Sequence, residues 1–541
     1  MAFVDIKGVS FTYPESEKKA LDNIGFTLER GSFTALMGAT GSGKSTLLRL
    51  LKPELRQNGT VSGEILFDGD DITALSGRQS AERIGYVAQN PDEQLVTDKV
   101  WHELAFTLES LGAPRDRIAR RIAEICAFFD IDGLYHRSTS TLSGGQKQII
   151  NLASVMTADP ELLILDEPTA QLDPIAASRF IEAVYRLNRE TGLTVLISEH
   201  RAEEILPRCD SVVILEKGHT AFVGSPRELA RGLEPDSPYT AYLPTAARIF
   251  TAAGGSGEPP LTIREGQRYI SELDLTDKAT HEENITEKAE PALELKNVYF
   301  RYDKNGSDIL SDLSLTVYRG EVFALLGSNG AGKSTAACVG AGLLKPYSGK
   351  VQVFGKKLKE YKNGALYKEC MSLLPQDVES VFIHETVGEE LKDCEEALGL
   401  LPYDLTPLFD RHPYDISGGE RQLVALCKAL STKPRLIIMD EPSKGLDVNS
   451  KRLLTDVILS LKSRGVTVLI ISHDVEFAAL CADRCALFSQ GRIAACDNTA
   501  DFMGDNRFYT TAASRITRFK LSGAYTDEKA VRLIKPGGGA P

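Results

Sequence analysis

No stretch of this chain is long and apolar enough to cross a bilayer. A spanning helix needs about 20 consecutive apolar residues, and no uncharged run in the 541 residues comes near that. A charged-then-apolar opening is also missing: MAFVDIKGVSF starts directly in a strand-like pattern, so no secretory leader is expected. If the protein works on a membrane, other chains must supply the spanning part. Paired CxxC cysteines are absent. Nine scattered cysteines, an odd number, argue against structural zinc and against a disulfide framework, and suit a reducing compartment. Cys481 and Cys485, four apart, read as two core residues of one helix rather than as a ligand pair. Positive charge is not in excess: the formal net charge is −13 and the pI near 5.3. So acidic a chain is a poor fit to a surface that must hold nucleic acid. What remains is ordinary for a globular protein, with 42% hydrophobic and 25% charged residues.

The chain repeats itself, the first feature to seek in any long sequence. FVDIKGVSFTY at 3–13 returns as LELKNVYFRY at 293–302, and GSFTALMGATGSGKST at 31–46 as GEVFALLGSNGAGKST at 320–335. LSGGQKQ at 142–148 matches ISGGERQ at 416–422, LLILDEPTAQLD at 162–173 matches LIIMDEPSKGLD at 436–447, and TVLISEH at 194–200 matches TVLIISH at 467–473. Lys333 follows Lys44 by 289 residues but Asp440 follows Asp166 by 274. Most of that shortening falls between Gln89 and Ser143, 54 residues, against 41 between Gln376 and Ser417. The blocks divide the chain into a first domain at 1–225, a linker with short helices at 226–290, a second domain at 291–520 and a flexible tail at 521–541. The linker reading rests on GGSGEPP at 254–260 and the charged DLTDKATHEENITEKAEP that follows.

Each half alternates short β-rich runs with helical stretches, which predicts α/β domains with a mostly parallel sheet. ILFDGDDI at 65–72 reads as antiparallel strands with a turn. Helical spacing puts Val100, Leu104, Leu108 and Leu111 on one face, and Val387, Leu391, Cys394 and Leu398 on another.

GATGSGKS at 38–45 and GSNGAGKS at 327–334 both fit G-x-x-x-x-G-K-[ST], each after a strand and before a helix. Gly38, Gly41 and Gly43, like Gly327, Gly330 and Gly332, let backbone N–H groups turn inward around phosphate, helped by the helix N-terminus. Lys44 and Lys333 would reach the β- and γ-phosphates of a nucleotide, and Ser45 and Ser334 would hold Mg2+. Asp166–Glu167 and Asp440–Glu441 end apolar strands, so their carboxylates emerge at the sheet edge beside the phosphate loop. The aspartate would act on Mg2+ through water and the glutamate would polarise the attacking water. A charged strand end before a proline turn is the bland alternative, weakened because the pattern recurs at the same place after both loops.

LSGGQ and ISGGE resemble the signature of the ATP-binding-cassette family, whose motifs occur here in family order twice. The resemblance implies two nucleotide-binding domains, each with a RecA-like parallel sheet core, an antiparallel β subdomain and a helical subdomain. It implies ATP and Mg2+ as cofactors. Tyr13 and Tyr302 occupy the adenine-stacking position, and Thr46 and Thr335 continue the phosphate site. Gln89 and Gln376 match the residue that touches Mg2+ and reports to the membrane partner. His200 and His473 match the histidine that contacts the γ-phosphate, and Asp173 and Asp447 the aspartates of the domain seam. Head-to-tail pairing of the two domains would let Ser143, Gly144 and Gly145 cap the ATP held by Lys333, and Ser417, Gly418 and Gly419 that held by Lys44. Departures from the pattern are Glu199–His200–Arg201, Glu420 for the signature Gln, and AQLD and KGLD before the seam. None removes a group the chemistry needs, so two competent sites are expected.

QNPDEQLVTDKVWHELAFTLESLG at 89–112 is similar to the ATPases of energy-coupling factor transporters, and PQDVESVFIHETVGEEL at 375–391 is a looser version. That likeness implies an importer of vitamins, vitamin precursors or cobalt and nickel ions. Its partners would be a transmembrane coupling protein and a small substrate-capture membrane protein, and its place the cytoplasmic face of the membrane. Exposure of Trp101 would favour docking; burial would favour core packing. The alternative, a tandem ATPase acting on ribosomes or nucleic acid, fits less well: such chains carry a basic, highly charged linker or zinc modules.

Overall fold

Five-residue apolar runs form the centre of each sheet. Phe33–Met37, Leu162–Asp166 and Thr194–Ser198 are buried at every position. Strands covered on both faces read as continuous apolar runs, and this is what a parallel sheet between helices requires. The computed structural model describes residues 2–14, 16–275, 278–279, 290–401 and 403–535. They fall into two compact units, 1–262 and 263–541.

In the first unit the six-stranded sheet runs in the order Ile84–Val87, Leu162–Asp166, Thr194–Ser198, Phe33–Met37, Ser211–Glu216, His219–Gly224. All neighbours are parallel except the last pair. The second unit repeats this order with Met371–Leu374, Leu436–Asp440, Thr467–Ser472, Val322–Leu326, Arg484–Ser489 and Arg492–Asn498. Each unit adds a four-stranded antiparallel sheet, built on Ala2–Thr12 in the first and Pro291–Phe300 in the second. Within it Thr60–Phe67 pairs antiparallel with Asp70–Asp71, as expected for 65–72.

The helical regions differ. The first unit has Val100–Ser110 and Arg115–Phe129 before the signature helix Gly144–Met156. Val100, Leu104 and Leu108 are buried and Leu111 is half-buried, so the expected stripe holds. The second unit does not form the single helix its spacing suggests. Val387–Glu390 and Glu395–Leu398 are separate single turns. Val387, Leu391 and Cys394 are still buried. Thirteen fewer residues between the Gln and Ser-Gly-Gly blocks leave no chain for a long second helix.

The linker and tail expectations need correction. Residues 226–262 pack into the first unit: the helix Pro226–Gly232 buries Leu229 and Ala230, and Thr245–Ala252 buries Ala246, Ala247 and Ile249. The helix Ile263–Glu272 lies in the second unit against Ala512–Thr517, where Gln267 Nε2 donates to the Arg515 carbonyl at 2.9 Å. The expected tail holds a helix, Asp527–Ile534, and buries Leu521, Ala524, Tyr525 and Ala530. The physical reason is a longer repeat: PTAARI at 244–249 matches TAASRI at 511–516, and LTIREGQRYI at 261–270 matches YTDEKAVRLI at 525–534. Most of the acidic tether, 276–277 and 280–289, and the tail's end, 536–541, lie outside the described residues. Cys481 and Cys485 are both buried but on different elements, a helix and a strand, and burial pushes the Cys485 thiol up to about 12. Among the described residues no helix is long and apolar enough to cross a membrane.

Candidate functional site

The strand order decides what meets. Thr194–Ser198 lies between the strand that feeds the phosphate loop and the strand that ends in Asp166. The C-terminal edges of these three strands therefore present Lys44, Ser45, Asp166, Glu167 and His200 to one another, the place where open α/β sheets hold ligands. The loop itself needs glycine. Gly41 and Gly330 have φ of 78° and 75°, and a Cβ on either would meet nothing within 4 Å, so each faces open space. Side-chained residues rarely adopt that conformation.

In the first unit Lys44 Nζ donates to the carbonyls of Gly38 at 2.9 Å and Ala39 at 3.2 Å and stands 3.4 Å from Glu167 Oε1. His200 Nε2 lies 2.8 Å from the same oxygen, and Gln89 Nε2 donates to Glu167 Oε2 at 3.2 Å. Burial opposes charge on Glu167, but the hydrogen bond and charge of His200, with Lys44, outweigh it and hold the carboxyl at about 2. Its neighbour behaves oppositely. Burial pushes Asp166 up, only partly offset by the hydroxyl of Ser45, which donates to Oδ1 at 3.0 Å. Adjacent carboxylates with pKa values pushed apart are a recurring mark of divided roles.

The second unit builds the same core. Lys333 Nζ donates to Gly327 O at 2.8 Å and lies 3.5 Å from Glu441 Oε1, and His473 Nδ1 lies 2.8 Å from Glu441 Oε2. Burial opposes charge on Glu441, and His473 and Lys333 reverse it, leaving the carboxyl below its ordinary value. Burial pushes Asp440 up, with Ser334 opposing. Gln376 is exposed and, unlike Gln89, makes no hydrogen bond to the glutamate among the described residues. The Asp440 Oδ1 is buried without a hydrogen-bond partner. A buried bare carboxylate oxygen is costly, and here it fits a divalent cation with its water shell. The Ser334 hydroxyl beside Asp440 is a hard oxygen donor, the type Mg2+ prefers.

Tyr13 and Tyr302 both leave strand ends beside the phosphate loop. Their hydroxyls lie 2.8 Å and 3.1 Å from Thr46 Oγ1 and Thr335 Oγ1. Tyr302 is 64% exposed, whereas Tyr13 is half-buried and packs against the core beside Phe11. Ser143 and Ser417 cap the signature helices in capping boxes with Gln146 and Glu420. Either Glu or Gln completes that box, so Glu420 is a tolerated change. Gly144 and Gly418 face open space, while a Cβ on Gly145 or Gly419 would lie 2.9 Å from Ala176 Cβ or 2.8 Å from Ser450 Oγ. Asp173 and Asp447 cap the helices starting at Pro174 and Val448, accepting from the Ala176 and Ser450 amides.

Sequence reasoning missed several residues. Tyr86 and Ser198 donate to Asp166, and Glu199 accepts from Thr169. Glu203 and Glu476, each three residues after the histidine, accept the first amides of the helices at Thr245 and Ala512, at 2.5 and 2.6 Å. The signal for Tyr86 and Ser198 was available where the repeats disagree: IGYV against MSLL, and LIS against LII.

A family model described as "ABC transporter" matches residues 21–170 and again 310–444, more than half of the chain. A provisionally named ABC transporter ATP-binding protein of Bacillus anthracis is 38% identical over 539 residues, 98% of each chain. A similarly named protein of Streptomyces coelicolor is 31% identical, covering 95% of this chain and 97% of its own. Among solved structures, an archaeal ribosome recycling factor, aABCE1, solved with the ribosomal stalk protein aP1, superposes with a TM-score of 0.59 at 20% identity. It covers 92% of this chain and 91% of its own, a likeness of fold. With two lysine loops, two acidic strand ends and two signature helices in one sequence, the chain belongs to the ABC transporter family of ATP-binding ATPases and carries its domain twice.

Proposed function

We propose that this chain is the fused ATPase subunit of an importer of the energy-coupling factor type, hydrolysing ATP at two sites on the cytoplasmic face of the membrane. The observation that carries the transport reading is the exposure of apolar side chains just after the first Gln block. Val96 is 67%, Trp101 39% and Phe106 40% exposed, while Leu104 beside them is fully buried. Large apolar groups left outside a well-formed core mark a surface for a partner. The helix of a transmembrane coupling protein is the partner this segment's sequence implies.

In this reading Lys44 and Lys333 bind the phosphates, and Ser45, Gln89 and Asp166, with Ser334, Gln376 and Asp440, hold Mg2+. When bound, Mg2+ neutralises charge on the phosphoryl oxygens and orients them. Glu167 and Glu441 take the proton of the attacking water. The γ-phosphate competes for the donors of Lys44 and His200, so Glu167 loses the partners that hold it low and becomes a stronger base. His200 and His473 pass to the γ-phosphate. The family resemblance further implies head-to-tail pairing of the two domains, which would put Ser143 and its glycines over the Lys333 nucleotide and Ser417 and its glycines over the Lys44 nucleotide.

The test is co-purification from detergent-solubilised membranes. Recovery of one large and one small multi-span protein supports the reading, provided Trp101→Asp with Phe106→Asp abolishes it. Recovery of ribosomal proteins instead overturns the transport assignment and leaves the ATPase standing.

A further inference from the structure

The two sites share the lysine, serine, aspartate, glutamate and histidine, yet they differ in what stands behind the aspartate. Asp166 is nearly sealed from solvent, and three hydroxyls close around it. Ser45 Oγ and Ser198 Oγ each donate to Oδ1 at 3.0 Å, and Tyr86 OH donates to Oδ2 at 3.1 Å. Ser198 Oγ also accepts the Glu167 amide at 2.9 Å, so one side chain ties the Asp166 carboxylate to the backbone of the next residue. The Arg49 side chain lies beside the Tyr86 hydroxyl.

Strand register identifies the corresponding positions. Tyr86 pairs with Ile164 and Leu373 with Ile438; Ser198 pairs with Asp166 and Ile471 with Asp440. Leu373 and Ile471 therefore replace Tyr86 and Ser198, and Cys338 stands where Arg49 does, five residues after the loop lysine. Neither aliphatic residue can donate a hydrogen bond. The consequence is visible in the bare, buried Oδ1 of Asp440.

We propose that Tyr86 and Ser198 are positioning residues that fix the Asp166 carboxylate toward the divalent cation of the first nucleotide site, a support the second site lacks. Outer partners of this kind orient carboxylates that face a metal, and their removal weakens metal affinity roughly 10–100-fold. Ser45 is free to turn to the metal because Ser198 and Tyr86 continue to satisfy the carboxylate. Asp440 has no such reserve, so its orientation is set only once the cation and its water arrive.

The inference rests on reading Asp166 as the metal-side carboxylate, and the experiment separates the two. Binding of a fluorescent ATP analogue is followed against Mg2+ concentration in the full-length chain carrying Lys333→Ala, so that the first site reports. Tyr86→Phe and Ser198→Ala, both close to isosteric, are expected to raise the half-saturating Mg2+ roughly tenfold. Nucleotide affinity in EDTA and the melting temperature should stay as they were. In the Lys44→Ala chain the second site should need more Mg2+ than the first. Two variants with unchanged Mg2+ dependence overturn the proposal, as does a loss of affinity equal with and without metal. Asp166→Asn is the control. If it abolishes the Mg2+ dependence while Tyr86→Phe and Ser198→Ala do not, only the positioning role fails. If it too changes nothing, the metal reading of Asp166 fails as well.

Discussion

Glu167 and Glu441 sit at backbone φ of 44° and 51°, a left-handed conformation unusual for a side-chained residue. Such strain costs on the order of 1–3 kcal/mol and persists where the surroundings enforce it. Here the enforcing contacts are hydrogen bonds from the Glu167 and Glu441 amides to the carbonyls of Ser198 and Ile471 on the adjacent strand. The strain turns each carboxylate off the strand axis toward the loop lysine. Glu167→Gln and Glu441→Gln should each slow single-site turnover roughly 10²–10⁴-fold, the usual cost of a lost general base, with nucleotide binding retained. Normal turnover in both would remove these residues from the base role. The same carboxylate gives a pH signature. Glu167 is held at about 2 against an ordinary 4.5, so its charge contributes stability that is complete above 4.5 and is lost as pH falls toward 2. The melting-temperature gap between the natural chain and Glu167→Gln should be widest at neutral pH, shrink as pH falls through 4.5 and close only near pH 2. A gap that persists in acid would show that the ion pairs with His200 and Lys44 are not its source.

At the scale of elements, the helix Val100–Ser110 has one packed face and one open face. Leu104 is fully buried and Trp101 39% exposed, stacked on His102 with ring centroids 5.2 Å apart. Leu104→Ala should cost about 2–5 kcal/mol in denaturant melts. Trp101→Ser should cost on the order of 0.5–1 kcal/mol yet remove membrane-partner capture. If Trp101→Ser destabilises as much as Leu104→Ala, the residue is core and the docking argument falls. In the second unit a cleft of about 520 Å³ is lined by residues such as Lys392, Cys394, Leu430 and Arg464. The helical stripe was legible in both halves because buried spacing is local information. That the second stripe breaks into two turns was not, because Val387, Leu391 and Cys394 stay buried whether the backbone between them is one helix or two. The packing of the segments after 226 and 521 is not legible in the sequence for a related reason. Each short helix there, such as Thr245–Ala252, is weak alone and gains its stability by covering the larger body.

For the whole molecule, the head-to-tail pairing that the resemblance implies would carry one asymmetric expectation. Ser143→Arg should reduce hydrolysis at the Lys333 site more than at the Lys44 site, measured in chains where Glu167→Gln or Glu441→Gln silences the other. The reverse pattern would refute that pairing. The duplication, the α/β class, the phosphate loops and the identities of Lys44, Asp166, Glu167 and His200 with their counterparts can all be read along the chain. Those features depend on residues close in the chain or on a repeat that aligns with itself. What stands behind each aspartate depends on the folded chain, because Tyr86 and Ser198 reach Asp166 from two other strands, 80 and 32 residues away. So does the place where the helices at 245–272 and 512–534 come to rest. Strand order brings such residues together, and strand order is settled by packing both faces of a sheet at once, which no local pattern encodes.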